Sequence, residues 1–335
     1  MSNTHSSGKR KKYNIKVNKV TVNEGGIFEE ASYPYIFLVI ALSIFAGILN
    51  AHHVSTLFEN DRHFSHLSNL EREMTFRTEM GLYYSYFKTI VKAESLSDGA
   101  YQLYRNNVTE YPLVINTLKR FNLYPELAAG ALYRGLDSLG LLTQVTVHMY
   151  TSLYTITGFL SQTCWTVNRG EGLAPVQSCE GLKDLPNFYI SLVWITAGAT
   201  TSLLFLLGLY LSRSVWGGLL AVLCFLYNHG EATRVMWTPP LRESFAFPLC
   251  LAQILAISVT TRSQSPGWRS LVSVSSTTTL FIICWQFAQF MLFTQTCAIF
   301  AVYLLGVLPQ ESLNSILVSQ VKYCLILNRM CTPIV

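Results

Sequence analysis

The run YPYIFLVIALSIFAGILNA, Tyr33 to Ala51, decides the fold class. It carries no charged side chain. As a helix rising ~1.5 Å per residue it reaches across the ~30 Å hydrocarbon core of a bilayer. The chain upstream is basic: Lys9, Arg10, Lys11, Lys12, Lys16 and Lys19 all precede the first acid, Glu24. Cationic flanks stay on the cytosolic side. Residues 1–32 therefore read as a cytosolic, solvated basic tail and residues 33–51 as a first transmembrane helix. The tail is too long and too polar for a signal n-region, and no cleavage site follows the apolar run.

Composition points the same way. Half of the 335 residues are hydrophobic and 13% are charged, against ~25% charged in an ordinary soluble domain. A disordered chain, a secreted disulfide miniprotein and a compact cytosolic enzyme are all excluded. The net charge of +5, from 24 basic and 19 acidic residues, reports the cytosolic segments of a protein whose solvent is membrane lipid. It does not call for a nucleic-acid partner.

Further apolar runs cover Phe188–Leu211, Val215–Tyr227, Ser244–Val259, Leu271–Gln289, Phe290–Leu308 and, more weakly, Leu313–Leu327. Arg213 lies in one intervening turn, and Arg262 with Arg269 in another. Basic turns belong in the cytosol, which leaves Asn228–Glu243 in the lumen. The expected layout is a lumenal loop with interfacial helices over 52–187, a bundle of about five to six transmembrane helices over 188–327, and a tail over 328–335. That parity forbids a single crossing by Leu141–Leu160. Its Thr143, Gln144, His148 and Ser152 suit an interfacial segment, with re-entry or a double crossing as alternatives. Asn107-Val108-Thr109 is a glycosylation sequon, usable only in a lumen. Cys164 and Cys179 lie in a polar stretch with Gly170, Gly172 and Pro175, and an oxidising lumen would let them form a disulfide.

Two polar segments carry the chemistry. In the first, Phe76, Met80, Tyr83 and Phe87 recur at helical spacing, and Glu73 with Arg77 forms an i,i+4 pair. Glu79 lies three residues from Phe76 and four from Tyr83. A carboxylate held against rings is partly desolvated and becomes a stronger base. The bland alternative is an amphipathic helix on the membrane surface. In the second, Asn228 to Glu243, Pro239-Pro240 interrupts any helix. There His229, Glu231, Arg234 and Arg242 crowd a membrane edge, where polar groups are costly and tend to be functional. Arg234 and Arg242 are suited to clamp a phosphate; the alternative is local pairing of Arg234 with Glu231 and Arg242 with Glu243. Gln286 and Gln289 offer hydrogen bonds between helices. No Walker loop, GxGxxG, HExxH or GxSxG occurs, and nothing in the residues argues for a metal or a nucleotide.

These segments together resemble the protein C-mannosyltransferase family of the endoplasmic reticulum membrane. The resemblance rests on Leu57-Phe58-Glu59-Asn60-Asp61, on Phe76 to Tyr86, on Asn228 to Arg234, and on Trp237 to Glu243. It implies an all-α polytopic membrane protein of the GT-C glycosyltransferase fold, with a large helical first lumenal loop. It implies transfer of mannose from dolichyl-phosphate-mannose to C2 of tryptophan in WxxW-type sequences of nascent or unfolded secretory proteins. The donor is a lipid substrate, and no cofactor or metal is expected. The location would be the endoplasmic reticulum membrane, multi-pass, or the nuclear envelope continuous with it. Carried over, Glu79 is the catalytic carboxylate and Arg234 and Arg242 bind the donor phosphate, with Asp61, Arg77, His229 and Glu231 in support. The family's proteins are about twice this length, and the resemblance is expected to fade after about Leu308. A truncated GT-C fold is thus the expectation, with a non-catalytic scaffold or a non-functional fragment of the same family as the alternative. Another lipid-phosphate-sugar transferase acting on glycans is a third reading.

Overall fold

The computed structural model describes residues 33–145, 161–167, 172–228, 241–263 and 267–331. The basic tail, the bulk of Leu141–Leu160, and the segment holding His229, Glu231 and Arg234 lie outside the described residues. What is described is almost wholly helical. Helix α1 spans Tyr33–Arg62, α2 Asn69–Thr75, α3 Glu79–Lys92, α4 Leu96–Tyr104, α5 Thr117–Phe121 and α6 Tyr124–Ser138. After three short strands come α7 Leu185–Ser212, α8 Val215–Tyr227, α9 Arg242–Arg262, α10 Trp268–Cys284, α11 Ala288–Leu304 and α12 Gln310–Cys331.

The first helix does not stop at Ala51. It continues through the polar residues to Arg62 and ends where His63 turns left-handed at φ 47°. Three helices among the described residues, α1, α7 and α9, are long and apolar enough to cross a membrane, and α8 and α11 are shorter apolar helices. The expected single run Leu271–Gln289 is also divided. Helix α10 ends at Cys284 and α11 begins at Ala288, because Trp285 is extended. Asn122 Nδ2 reaches the freed carbonyls of Ile282 and Ile283 at 3.2 and 3.1 Å. This is side-chain capping of a helix end that has no further backbone partners.

Helices α1 and α7 pack as membrane helices do, through small residues and side-chain-to-backbone bonds. A Cβ on Gly198 would lie 2.7 Å from the Gly47 carbonyl oxygen, so only glycine admits this approach. Ser202 Oγ donates to Ser43 O at 2.8 Å and Asn50 Nδ2 to Ala197 O at 2.8 Å. Further along the bundle, Gln253 of α9, Gln295 of α11 and Gln320 of α12 exchange amide bonds of 2.7 to 3.0 Å. These glutamines, rather than Gln286 and Gln289, make the interhelical bonds; Gln286 instead donates to Arg120 O at 2.5 Å.

The two ends of the bundle differ. At one, Arg262 closes α9 by donating to Tyr210 O at 2.6 Å and Leu211 O at 3.1 Å of α7, beside the left-handed Arg213 turn. The basic turns containing Arg213 and Arg262 therefore meet at one end. At the other end, the last turn of α1 and the first turns of α7 and α9 meet a polar lobe made of α2–α6 and the strands. Its core is aromatic: Phe76, Tyr84, Phe87, Tyr133, Phe188 and Tyr189 interlock with ring centroids 4.7 to 6.5 Å apart.

The lobe is not purely helical. Strands β1 Thr143–Val145, β2 Ser161–Val167 and β3 Val176–Glu180 form one small sheet, with β1 parallel and β3 antiparallel to β2. The reading of a polar, Gly- and Pro-containing stretch passed over β-branched Thr163, Thr166, Val167 and Val176, which favour a pleated surface. Cys164 and Cys179 face each other in the β2–β3 register and are joined by a disulfide.

Candidate functional site

Glu79 opens α3. The stretch Glu71 to Lys88 suggests one amphipathic helix, but the chain breaks between α2 and α3. Phe76 N–H donates back to Glu73 O at 3.3 Å and Thr78 sits at φ 55°. A β-branched residue in that region is strained, by about 1–3 kcal/mol. Gly81 lets the turn close, because a Cβ there would lie 2.6 Å from Phe76 O.

Two expectations change as a result. Glu73 does not pair with Arg77, which is exposed in the break. Glu73 instead accepts from Lys88 Nζ at 2.6 Å and from the Tyr84 hydroxyl at 3.0 Å. Nor is Glu79 desolvated between Phe76 and Tyr83. With Phe76 outside the helix, the three-residue spacing no longer stacks them, and Glu79 is exposed. The stripe itself holds: Phe76, Met80, Tyr83 and Phe87 are buried.

One turn along α3 from Glu79 stands Tyr83. Its ring receives the Arg242 guanidinium at 4.0 Å, a cation–π contact. Burial pushes the Tyr83 phenol above its ordinary value; Arg242 pulls it down, while Glu79 and Glu243 push it up. Two carboxylates and one guanidinium therefore converge electrostatically on this phenol, from α3 and from the start of α9.

Arg242 is 5% exposed and is held from below. Its Nη2 meets Glu126 Oε1 of α6, and its Nη1 donates to Asn122 O at 3.0 Å. Glu126 is fully buried, and the same Oε1 accepts the Tyr189 hydroxyl at 2.7 Å. Arg242 thus pairs across the fold, with Glu126 of α6. Among the described residues, Glu126 Oε2 and Arg242 Nε have no hydrogen-bond partner. Buried polar atoms are rarely left so, and each exception calls for an explanation.

A second polar centre lies deeper in the lobe. Arg72 is fully buried. Its Nε donates to Phe64 O at 2.9 Å, and its Nη2 donates to Ser65 O at 2.8 Å and to Ser178 Oγ at 3.2 Å. Its Nη1 meets Cys179 O and lies 3.4 Å from Asp184 Oδ2. One guanidinium thus ties α2, the turn before it, β3 and the entry to α7. Burial pushes the Asp184 carboxyl up to about 6, against the opposing pull of Arg72.

Of the residues singled out from sequence, Arg242 lies over the ring of Tyr83, and Glu79 stands one helical turn before that residue on α3. Asp61 is exposed at the end of α1 and pairs with neighbouring Arg62 at 2.8 Å. Asn107 is exposed on a loop closed by the Asn106–Ile115 bridge, while the Thr109 hydroxyl is bonded to Asn106 Oδ1 at 2.8 Å. Arg234, His229 and Glu231 lie outside the described residues. Glu126, Arg72 and Asp184 were not foreseen. Glu126 had a signal: it shares the apolar face of α6 with Ala129, Gly130 and Tyr133, where an acid is out of place.

Membrane-length helices entering a folded polar lobe mark an α-helical membrane protein. Comparison with known proteins makes this specific. The Dpy19 family profile, described as Q-cell neuroblast polarisation, matches residues 44–330, and the chain belongs to that family. The match runs past Leu308, so α12 falls within the family pattern and the expected fading there does not occur. The chain is 50% identical over 275 residues to human "Protein C-mannosyl-transferase DPY19L1", covering 82% of this chain and 39% of that protein. It is 50% identical over 276 residues to the mouse protein of that name, covering 82% and 35%. It is 43% identical over 290 residues to "C-mannosyltransferase dpy-19" of Caenorhabditis elegans, covering 87% and 40%. The chain thus spans well under half the length of these relatives.

Proposed function

We propose that this chain carries the acceptor-activating part of a C-mannosyltransferase. It would act on dolichyl-phosphate-mannose and on tryptophan in WxxW-type sequences of secretory proteins, in the endoplasmic reticulum membrane. The observation that carries the reading is the exposed Glu79, placed at a strained helix start with Arg242 over the adjacent Tyr83. The relatives' names supply the reaction class.

The chemistry needs such a pairing. Indole C2 is a weak nucleophile. Its electron pair forms the C–C bond to mannose C1 while the C1–O bond breaks and its electrons leave with dolichyl phosphate. The resulting cation must lose the C2 proton. Glu79 is the base, desolvated when the acceptor covers it, and positive charge at the helix ends offsets the leaving phosphate. Arg242 is not free to bind that phosphate, because its guanidinium is already engaged by Glu126 and the Asn122 carbonyl. In this reading Arg234 is the direct phosphate ligand, and Asp61, Arg77, His229 and Glu231 are supporting groups.

The lobe faces the lumen in this reading. The bundle end with Arg213 and Arg262 would be cytosolic, and the lobe with its Cys164–Cys179 disulfide sits at the opposite end.

The test uses microsomes from cells lacking family members and expressing this chain. A WxxW peptide and dolichyl-phosphate-mannose are supplied, and tryptophan is examined by mass spectrometry for an added hexose. A hexose on the indole that depends on Glu79 supports the reading. No product from membrane-integrated protein favours the scaffold alternative, and hexose on glycans alone favours another lipid-phosphate-sugar transferase.

A further inference from the structure

The proposed reaction uses Glu79 but gives no part to the residue before it. Thr78 stands at φ 55° and ψ −126°, close to the ~+60° and ~−120° of the first central position of a type II′ turn. The closing hydrogen bond of such a turn is present, with Met80 N–H donating to Arg77 O at 3.3 Å. Glu79 is therefore the second central residue of the turn that opens α3. Glycine dominates the first central position, because a Cβ crowds the backbone there. Here the position holds a β-branched residue whose hydroxyl makes no cap bond to the helix.

The surroundings enforce this conformation. Phe76 is buried before the turn, its ring centroid 4.7 Å from that of Tyr84 and 6.2 Å from that of Phe64. Met80 is buried after the turn. Arg77, Thr78 and Glu79 are all exposed and bridge these two anchors. Gly81 packs against the Phe76 carbonyl, where a Cβ would lie 2.6 Å away, so the anchors are drawn together. Strain of this kind persists only where packing over-determines the backbone, and it collects at functional sites. Glycine at position 78 would relieve it and also loosen the turn. Glycine moves in a broad basin at positive φ, whereas a β-branched side chain leaves a narrow one.

We propose that Thr78 is a positioning residue: its β-branched side chain narrows the turn and so fixes the direction in which the Glu79 carboxylate leaves the helix. The inference rests on Glu79 as the base of the proposed reaction, where a small misplacement of the group costs rate. The fold gives up stability at Thr78 in exchange for that precision.

The experiment compares Thr78→Gly and Thr78→Val in the membrane-integrated chain. Stability is read by melting in detergent. The turn is read by hydrogen exchange of the Met80 and Leu82 amides, which bond Arg77 O and Thr78 O. Thr78→Gly melts ~2–4 °C above the native chain, because the strain is gone. It nevertheless exchanges these amides ~10-fold faster, because the turn opens locally. Thr78→Val keeps the branch and drops the hydroxyl, and exchanges at the native rate. A Thr78→Gly chain that melts lower, or exchanges no faster, overturns the inference. So does a Thr78→Val chain that exchanges as fast as Thr78→Gly. Where hexose transfer to a WxxW peptide depends on Glu79, Thr78→Gly lowers kcat ~10-fold with the peptide KM unchanged, and Thr78→Val retains the rate within ~3-fold. Stability and kcat then move in opposite directions, which a merely structural role would not produce. An unchanged kcat in Thr78→Gly overturns the inference. The reading of Glu79 fails separately. The predicted exchange pattern in a chain whose transfer is absent, or indifferent to Glu79→Gln, refutes the proposed reaction and leaves Thr78 as the residue that fixes the turn.

Discussion

Arg72 and Arg242 are two answers to the same problem. Each places a guanidinium out of water, over an aromatic ring, beside a carboxylate from another element. Arg72 spends its hydrogen bonds fully, on three carbonyls, a hydroxyl and Asp184. Arg242 does not: among the described residues its Nε and the Oε2 of its partner Glu126 have no hydrogen-bond partner, and exposed Glu79 stands one turn from the ring it covers. A saturated buried cation is a staple, and removing it costs stability. An unsaturated one holds charge for something else, and perturbing it should cost function first.

The largest effect expected from this contrast is at Arg72. Arg72→Met strands Asp184 and several carbonyls without a donor, and should cost ~3–5 kcal/mol. Denaturant unfolding in detergent would show it, together with loss of the folded, disulfide-bonded chain. If Arg72→Met folded with native stability, the staple half of the comparison would fail.

The disulfide comes next. Cys179→Ser frees β3, whose carbonyl Arg72 holds, and opens a loop of separation 15. A loop of that length is worth ~3 kcal/mol in the chain-entropy account. Thermal melts with and without reductant should differ for the native chain and coincide for the variant.

Asp184 sharpens the contrast through pH. Its carboxyl titrates at about 6, above the ordinary value of 3.8. The folded state therefore binds the proton more tightly than the unfolded state. The stabilisation is complete below the ordinary value and is lost as pH rises through about 6. Between those limits the native chain should lose up to ~3 kcal/mol relative to Asp184→Asn, from about two pKa units at 1.36 kcal/mol each. A native chain and variant with parallel pH–stability curves would show that burial does not raise the Asp184 carboxyl.

The smallest effect is at Asn107. It is exposed on its loop, so Asn107→Gln should change stability by no more than ~0.5 kcal/mol. The same variant should remove a glycosidase-sensitive mobility shift if the lobe is lumenal. A shift absent from the native chain would withdraw the sequon as support for that side.

The long apolar helices were legible because long apolar runs leave few choices. The runs at α7, α8 and α9 were read to within a few residues. The buried stripe of α3 was legible for the same reason: its spacing is dictated by packing. What failed did so where tertiary contacts override local pattern. The break before Glu79 depends on Thr78 adopting φ 55° and on Gly81 under the Phe76 carbonyl, neither of which helical spacing encodes. The division of α10 from α11 depends on Asn122 and Gln286 bonding across to the lobe. Glu73 chose Lys88 over Arg77 for a related reason, since the two helices fold back on each other. Glu79 and Arg242 are candidates that residue type and motif suggest. Glu126, Arg72 and Asp184 are not, because a charge becomes a buried partner only once the fold has closed around it.

The central claim is that Glu79 carries function without carrying stability, in contrast to Arg72. The measurement that tests it most directly is Glu79→Gln in an active preparation, with WxxW tryptophan hexosylation and unfolding free energy read from the same sample. The predicted result is transfer reduced at least ~100-fold, as for loss of a positioned base, with stability within ~0.5 kcal/mol of native. Transfer at the native rate, or transfer lost only in proportion to lost fold, would contradict it.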